Sequence, residues 1–129
     1  MESLDGAWWP YSRDLSVELP ALAAALATRL GYLVRVAYPI DAWTPAPRYV
    51  AVLGQAVRLD GFPSQDYSVL YLSGPARQRI TVLVVPPEAT DSAARIAMEL
   101  TCASGSAARP TEILAVAGAS PPPRPAHVG

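Results

Sequence analysis

Three tryptophans, Trp8, Trp9 and Trp43, stand near acidic, basic and amide side chains, and these are the residues of the chain best suited to hold another molecule. An indole offers a broad apolar face and one N–H donor, so it stacks on a planar ligand, on a partner's arginine or on an unpaired base. Trp8 and Trp9 are adjacent, and an extended backbone sends adjacent side chains to opposite sides. A core therefore takes one of the two rings more easily than both. Arg13, Asp14, Asp41 and Gln65 fall in turn-rich stretches, where they can line a groove together with the three indoles. The competing reading is that the rings merely cover the open end of a sheet.

Other chemistries fail on inventory. The histidine is His127, near the carboxyl end, and the cysteine is Cys102, so neither a nucleophile–histidine pair nor a zinc cluster is expected. The chain has no lysine, hence no G-x-x-x-x-G-K-[ST] phosphate loop, and no G-x-G-x-x-G follows a strand. Asp41, Asp60 and Asp66 match no ligand loop for a hard cation and read as turn aspartates. No catalytic residue, metal or cofactor is expected, which points to a protein that binds and does not turn over substrate.

All ten basic residues are arginine, set against eleven acidic ones for a formal charge of −1, so there is no global pull toward nucleic acid or an anionic membrane. Arg35 and Arg58 fall opposite the apolar sides of their strands, with Arg48, Arg77 and Arg79 near strand ends. They read as a solvated outer face, one that leaves phosphate contact and dimerisation open.

The elements that must position these residues can be read from periodicity. Leu15, Leu19, Leu22, Leu26 and Leu30 draw one stripe along a helix that Ser12 or Asp14 can cap and Gly31 can end; Pro20, inside the stripe, predicts a kink or a restart. Ala21, Ala23, Ala24, Ala25 and Ala27 run beside the stripe and would let a second helix or a twin subunit come close. Alternation over Tyr32–Tyr38 predicts a strand, and Arg48–Leu53 with Ala56–Asp60 predicts a hairpin across Gly54-Gln55, pairing Val52 with Val57. Tyr67–Leu72 and Arg79–Val85 follow as strands, the second apolar on both faces, and Pro86-Pro87 ends it. Thr90 or Asp91 caps a helix to about Ala103 whose inward residues are Ala93, Ile96, Ala97 and Leu100; a break at Ser104-Gly105-Ser106 precedes a weaker helix, Thr111–Ala117.

A helix, five strands and a helix with short connections predict an α+β fold, a five-stranded antiparallel meander that is either an open sheet or a small barrel. One domain spans residues 1–118, and the proline-rich residues 119–129 form a disordered tail. The acidic start lacks the basic region of a secretory signal and no apolar run is long enough for a membrane span, so a cytoplasmic protein is expected.

Gly6-Ala7-Trp8-Trp9-Pro10 with Ser12-Arg13-Asp14-Leu15, then Asp41-Ala42-Trp43, Gly61-Phe62 with Ser64-Gln65, and Val84-Val85-Pro86-Pro87 resemble a family of small uncharacterised actinobacterial proteins, a domain of unknown function. The resemblance covers about residues 5–118 and brings no activity with it. Its motif residues are polar and aromatic, which favours the groove reading. The expected function is a binding or regulatory protein, a homodimer, holding a small ligand or a protein partner on the surface formed by Trp8, Trp9, Arg13, Asp14, Asp41, Trp43 and Gln65. The alternative is a small β-barrel that binds single-stranded nucleic acid through its tryptophans and strand arginines.

Overall fold

The computed structural model describes residues 4–104 and 109–121. In chain order they form strand β1 (Gly6–Trp8), helix α1 (Leu15–Ala25), a single turn α2 (Ala27–Leu30), strand β2 (Arg35–Pro39), a 3₁₀ turn (Ile40–Ala42), strands β3 (Tyr49–Val52), β4 (Gln55–Phe62), β5 (Val69–Ser73) and β6 (Arg79–Val84), and helices α3 (Asp91–Ser104) and α4 (Pro110–Ala117). The break expected at Gly105-Ser106 and most of the expected tail, residues 122–129, lie outside the described residues.

The strands make one mixed sheet in the order β1-β6-β5-β2-β4-β3, which overturns the expected five-stranded antiparallel meander. Parallel pairs join β1 to β6 and β2 to β4, while the β2–β5, β5–β6 and β3–β4 pairs are antiparallel. Loop length excludes parallel pairing only between strands that follow one another directly. Here β3 runs along the outside, and its hairpin returns β4 into the space beside β2, so the parallel neighbours are separated by a whole strand. β1 is too short, at three residues, for alternation to reveal it.

The β3–β4 hairpin turns at Leu53-Gly54, both with positive φ (49° and 83°), as a type I′ turn requires, and not at Gly54-Gln55. Val50 therefore pairs with Val57 and Val52 with Gln55, a register two residues away from the expected one. An even shift keeps every side chain on its face, which is why Val52, Val57 and Leu59 are buried as expected.

Two cores sandwich the sheet. On one face Leu15, Leu19, Leu22 and Leu30 from α1 and α2 pack on Val36, Val57, Leu70, Leu72 and Val82. Asp14 caps α1 by accepting from the Ser16 N–H, and the Glu18 carboxylate takes hydrogen bonds from the Tyr11 N–H and the Ser12 hydroxyl. The helix runs through Pro20 and breaks at Leu26 instead, since a proline in the second turn deprives only the half-exposed Ser16 carbonyl of its partner. On the other face α3 and α4 cover Leu83 and Val85 through Ala93, Ala94, Ala97, Ile113 and Leu114, with Ala119 packed beside them. The Thr90 hydroxyl caps α3 by accepting from the Ala93 N–H, and Thr101 turns inward where Ile96, 43% exposed, does not.

This second core contains no residue of β2, β3 or β4. Among the described residues, the two carboxyl-terminal helices cover the sheet over β1 and the adjoining parts of β6 and β5, and no helix lies on the same face of β2, β4 and β3.

Candidate functional site

The open half-face owes its character to strand alternation. On β2 and β4, Val36, Tyr38, Val57 and Leu59 point to the first core, so Arg35, Ala37, Arg58 and Asp60 must point the other way. Register then sets residues from separate strands side by side. Arg79 pairs with Ser73, Ser73 with Arg35, Arg35 with Arg58, and Arg58 with Tyr49, so one row crosses five strands and carries three arginines. The next row runs Thr81, Tyr71, Ala37, Asp60.

Asp60 sits between two of those arginines. Its carboxylate accepts from Nε of Arg58 at 2.9 Å and from Nε of Arg35. Burial pushes the Asp60 carboxyl up, but the hydrogen bonds and charges of Arg35 and Arg58 outweigh it and hold the group below the usual carboxylate range. The same carboxylate bonds keep the Arg58 guanidinium more firmly protonated than usual. Arg79 lies over the Tyr71 ring with its guanidinium carbon 4.1 Å from the centroid, a close cation–π contact.

Between Arg35 and Arg79 the surface dips into a hollow of about 420 Å³. Its floor is Ala37, Tyr71 and Ser73, and its rim is Phe62 at the end of β4 with Ser64, Gln65 and Asp66 from the loop that follows. Gln65 holds that loop in place: its side-chain amide donates to the carbonyls of Ala37 at 3.0 Å and Val69 at 2.8 Å. β2 and β5 stop pairing beyond Ala37 and Tyr71, and the glutamine closes the gap between them. Asp66 accepts from the Ser68 N–H and shapes the following turn. Three arginines and two aspartates, Asp60 and Asp66, leave this region positive in a chain whose formal charge is −1.

The residues expected to form one groove are divided among three places. Trp8 and Trp43 come together, stacked with centroids 5.9 Å apart and planes 16° from parallel, and Trp43 is buried in the first core. Arg13 lies near them: its guanidinium donates to the Ala42 carbonyl and to both oxygens of Glu88, and stands 5.8 Å from the Tyr67 centroid. Thr44 donates twice to the Arg13 carbonyl, so this arginine ties together the 3₁₀ turn, the segment after β6 and the one before β5. Burial raises the Glu88 carboxyl, and the Arg13 contacts overcome it to leave the group below its usual range. Asp14 is the cap of α1, and Asp41 lies half-buried in the 3₁₀ turn. Trp9 is on the opposite face, packed against the second core with Nε1–H donating to the Pro86 carbonyl at 3.0 Å. Gln65 belongs to the hollow.

Arg35, Arg58 and Arg79 could be placed on an outer face from the sequence, but not in one row, because the row depends on the parallel β2–β4 pairing. Tyr71, Phe62 and Ser64 gave no signal beyond the Gly61-Phe62 and Ser64-Gln65 motifs. Among the described residues no group of His, Cys, Asp and Glu gathers as a metal site, and no helix is long and apolar enough to cross a membrane.

Fold and site together define an α+β protein with a six-stranded mixed sheet, half of one face of which is left uncovered over a cationic hollow. Residues 1–101 match the model of a family of unknown function, DUF5994, and the chain belongs to that family. No curated protein and no solved structure matches it.

Proposed function

We propose that this is a binding protein whose ligand is a small anion with a flat portion, held in the hollow on the open half of the sheet. The observation that carries this reading is the convergence of Arg35 and Arg79 on a concave surface floored by Tyr71 and rimmed by Phe62 and Ser64. A guanidinium binds carboxylate or phosphate by two parallel hydrogen bonds, and a neighbouring ring supplies a stacking face. Pockets of this volume accommodate metabolite-sized molecules. The lining supplies cations, donors and rings, which are means of holding a molecule; of the two carboxylates nearby, Asp60 is engaged by two arginines and Asp66, on the rim, accepts from the Ser68 N–H. Binding without turnover is therefore the reading adopted.

A thermal-shift screen of nucleoside monophosphates and aromatic carboxylates on the wild type, Arg79→Ala and Arg35→Ala tests it. A ligand of the native state raises the melting temperature of the wild type by mass action, and each substitution reduces the rise. A rise that both variants keep in full would place the ligand elsewhere, and no rise with any compound would count against a small anion.

One observation favours a second reading, single-stranded nucleic acid. The row Arg79, Ser73, Arg35, Arg58, Tyr49 spans five strands, farther than the hollow itself. Arginines that track a backbone give affinity that falls steeply with salt. Fluorescence anisotropy with a labelled oligothymidine at two salt concentrations separates the readings, since a small anion would bind without any oligonucleotide signal.

A further inference from the structure

We infer that two copies of the chain join edge to edge through β1, making one continuous sheet of twice six strands. Among the described residues, β1 ends the sheet on its side. The Trp8 carbonyl accepts from the Val85 N–H across the β1–β6 ladder, and backbone groups of successive strand residues point to alternate sides. The N–H and C=O of Ala7 therefore point outward, away from β6. Proteins blunt such edges by keeping them short or with a charge, a proline or a bulge. β1 is short, and the Arg29–Asp5 ion pair stands beside its amino-terminal end, but Gly6-Ala7-Trp8 itself holds no charge and no proline.

A largely apolar hollow of about 400 Å³ flanks the β1 edge, with Trp8, Leu22 and Leu26 on one side of the sheet and Trp9 and Met98 on the other, and with Arg29, paired to Asp5, at its margin. Three features make a second copy its occupant. A strand edge is its own complement under two-fold rotation, here about Ala7. Such an axis, normal to the sheet, keeps each face with its like and sets α3 beside the partner's α3 in reverse. Arg95 and Glu99, both exposed on α3, flank Met98, so reversal brings Arg95 toward the partner's Glu99 and Glu99 toward the partner's Arg95. On the other face, the end of α1 bordering the hollow carries the exposed Ala25, small enough for the partner's α1 to come close. A foreign strand would satisfy the edge but neither helix. The anion hollow lies over β2, β5 and the loop after β4, so this inference stands apart from the proposed function.

Sedimentation velocity of the full chain across the micromolar range, on the wild type, Ala7→Pro and Met98→Glu, tests the inference. Proline removes the outward N–H at the centre of the edge. Glutamate places like charges in the apolar contact, at a position already 39% exposed and so tolerated by the monomer. The expected result is a dimeric wild type and two variants whose dimers are weaker by roughly tenfold or more, with circular dichroism unchanged. A wild type that stays monomeric, or a dimer that survives Met98→Glu at full strength, overturns the inference. If Ala7→Pro does not fold, Met98→Glu alone is decisive.

Discussion

The same face of one sheet has two halves that share strand geometry and little else. Over β1 and the adjoining parts of β6 and β5, that face presents Ala7, Leu83 and Val69, and helices cover them, while the other ends of β5 and β6 carry Tyr71, Ser73 and Arg79 to the hollow. Over β2 and β4 they are Arg35, Ala37, Arg58 and Asp60, and among the described residues no helix packs on them, although Ala37 is buried by its neighbours. The contrast shows that a strand's exposed composition follows from what packs against it. β6 reads as apolar on both sides because it has a helix layer on each, and β2 and β4 alternate because each has only one.

Substitutions that respect or violate this division give a graded set of tests. The largest effect is expected at Leu83, wholly buried at the centre of the covered half. Leu83→Ala should cost about 2–5 kcal/mol by urea denaturation, and a loss below about 1 kcal/mol would mean that the carboxyl-terminal helices do not seal that half. Gly61 pairs with Tyr38 where β4 runs parallel to the end of β2, and a Cβ there would stand 2.6 Å from the Ile40 side chain and 3.0 Å from the Tyr38 ring. Gly61→Ala should therefore lose about 1–3 kcal/mol, an overpacking penalty that an alanine on an open strand would escape.

Trp9→Phe keeps a ring in the covered half but deletes the donor to Pro86. A loss of about 1 kcal/mol is expected from thermal denaturation. On the open half, Asp60→Asn should act through pH more than through stability at neutrality. A carboxyl held below its unfolded value adds stability that is present above the unfolded value and disappears as pH falls through the folded one. Wild type should thus lose this part of its stability on acidification below about pH 4, while Asp60→Asn, lacking the group, should show a shallower acid decline. Parallel acid profiles would remove Asp60 as the centre of the arginine row. The smallest effect on folding is expected from Arg79→Ala, an exposed change worth less than about 0.5 kcal/mol, yet the same variant should weaken ligand binding, and that dissociation of stability from binding is what sets the open half apart.

Much of the architecture was legible from residue patterns. The leucine stripe of α1, the Asp14 and Thr90 caps, and the inward set Val52, Val57 and Leu59 follow from local periodicity, and local periodicity survives a register error of two. The sheet order was not legible, because the return of β4 to the side of β2 depends on which strand wins a neighbour, and no residue of either strand states that preference. For the site, the indoles drew attention as the most conspicuous side chains. Trp43 proved to be core and Trp9 to be pinned by Pro86, while Arg13 serves as a clamp between loops. Trp8 and Trp9 border the apolar hollow at the β1 edge, and Gln65 was the expected residue that reached the arginine-lined hollow, where it braces the loop that shapes it.

The pairing of β1 with β6 also governs how the chain comes into being. Gly6 meets Val82 only after the intervening stretch has been synthesised, which at about 5–20 residues per second takes roughly 4–15 s. For that interval Trp8 and Trp9 stand outside the ribosome with neither docking surface complete, so a segment made early settles late, and a nascent-chain chaperone would meet two adjacent indoles before the native protein partly buries them.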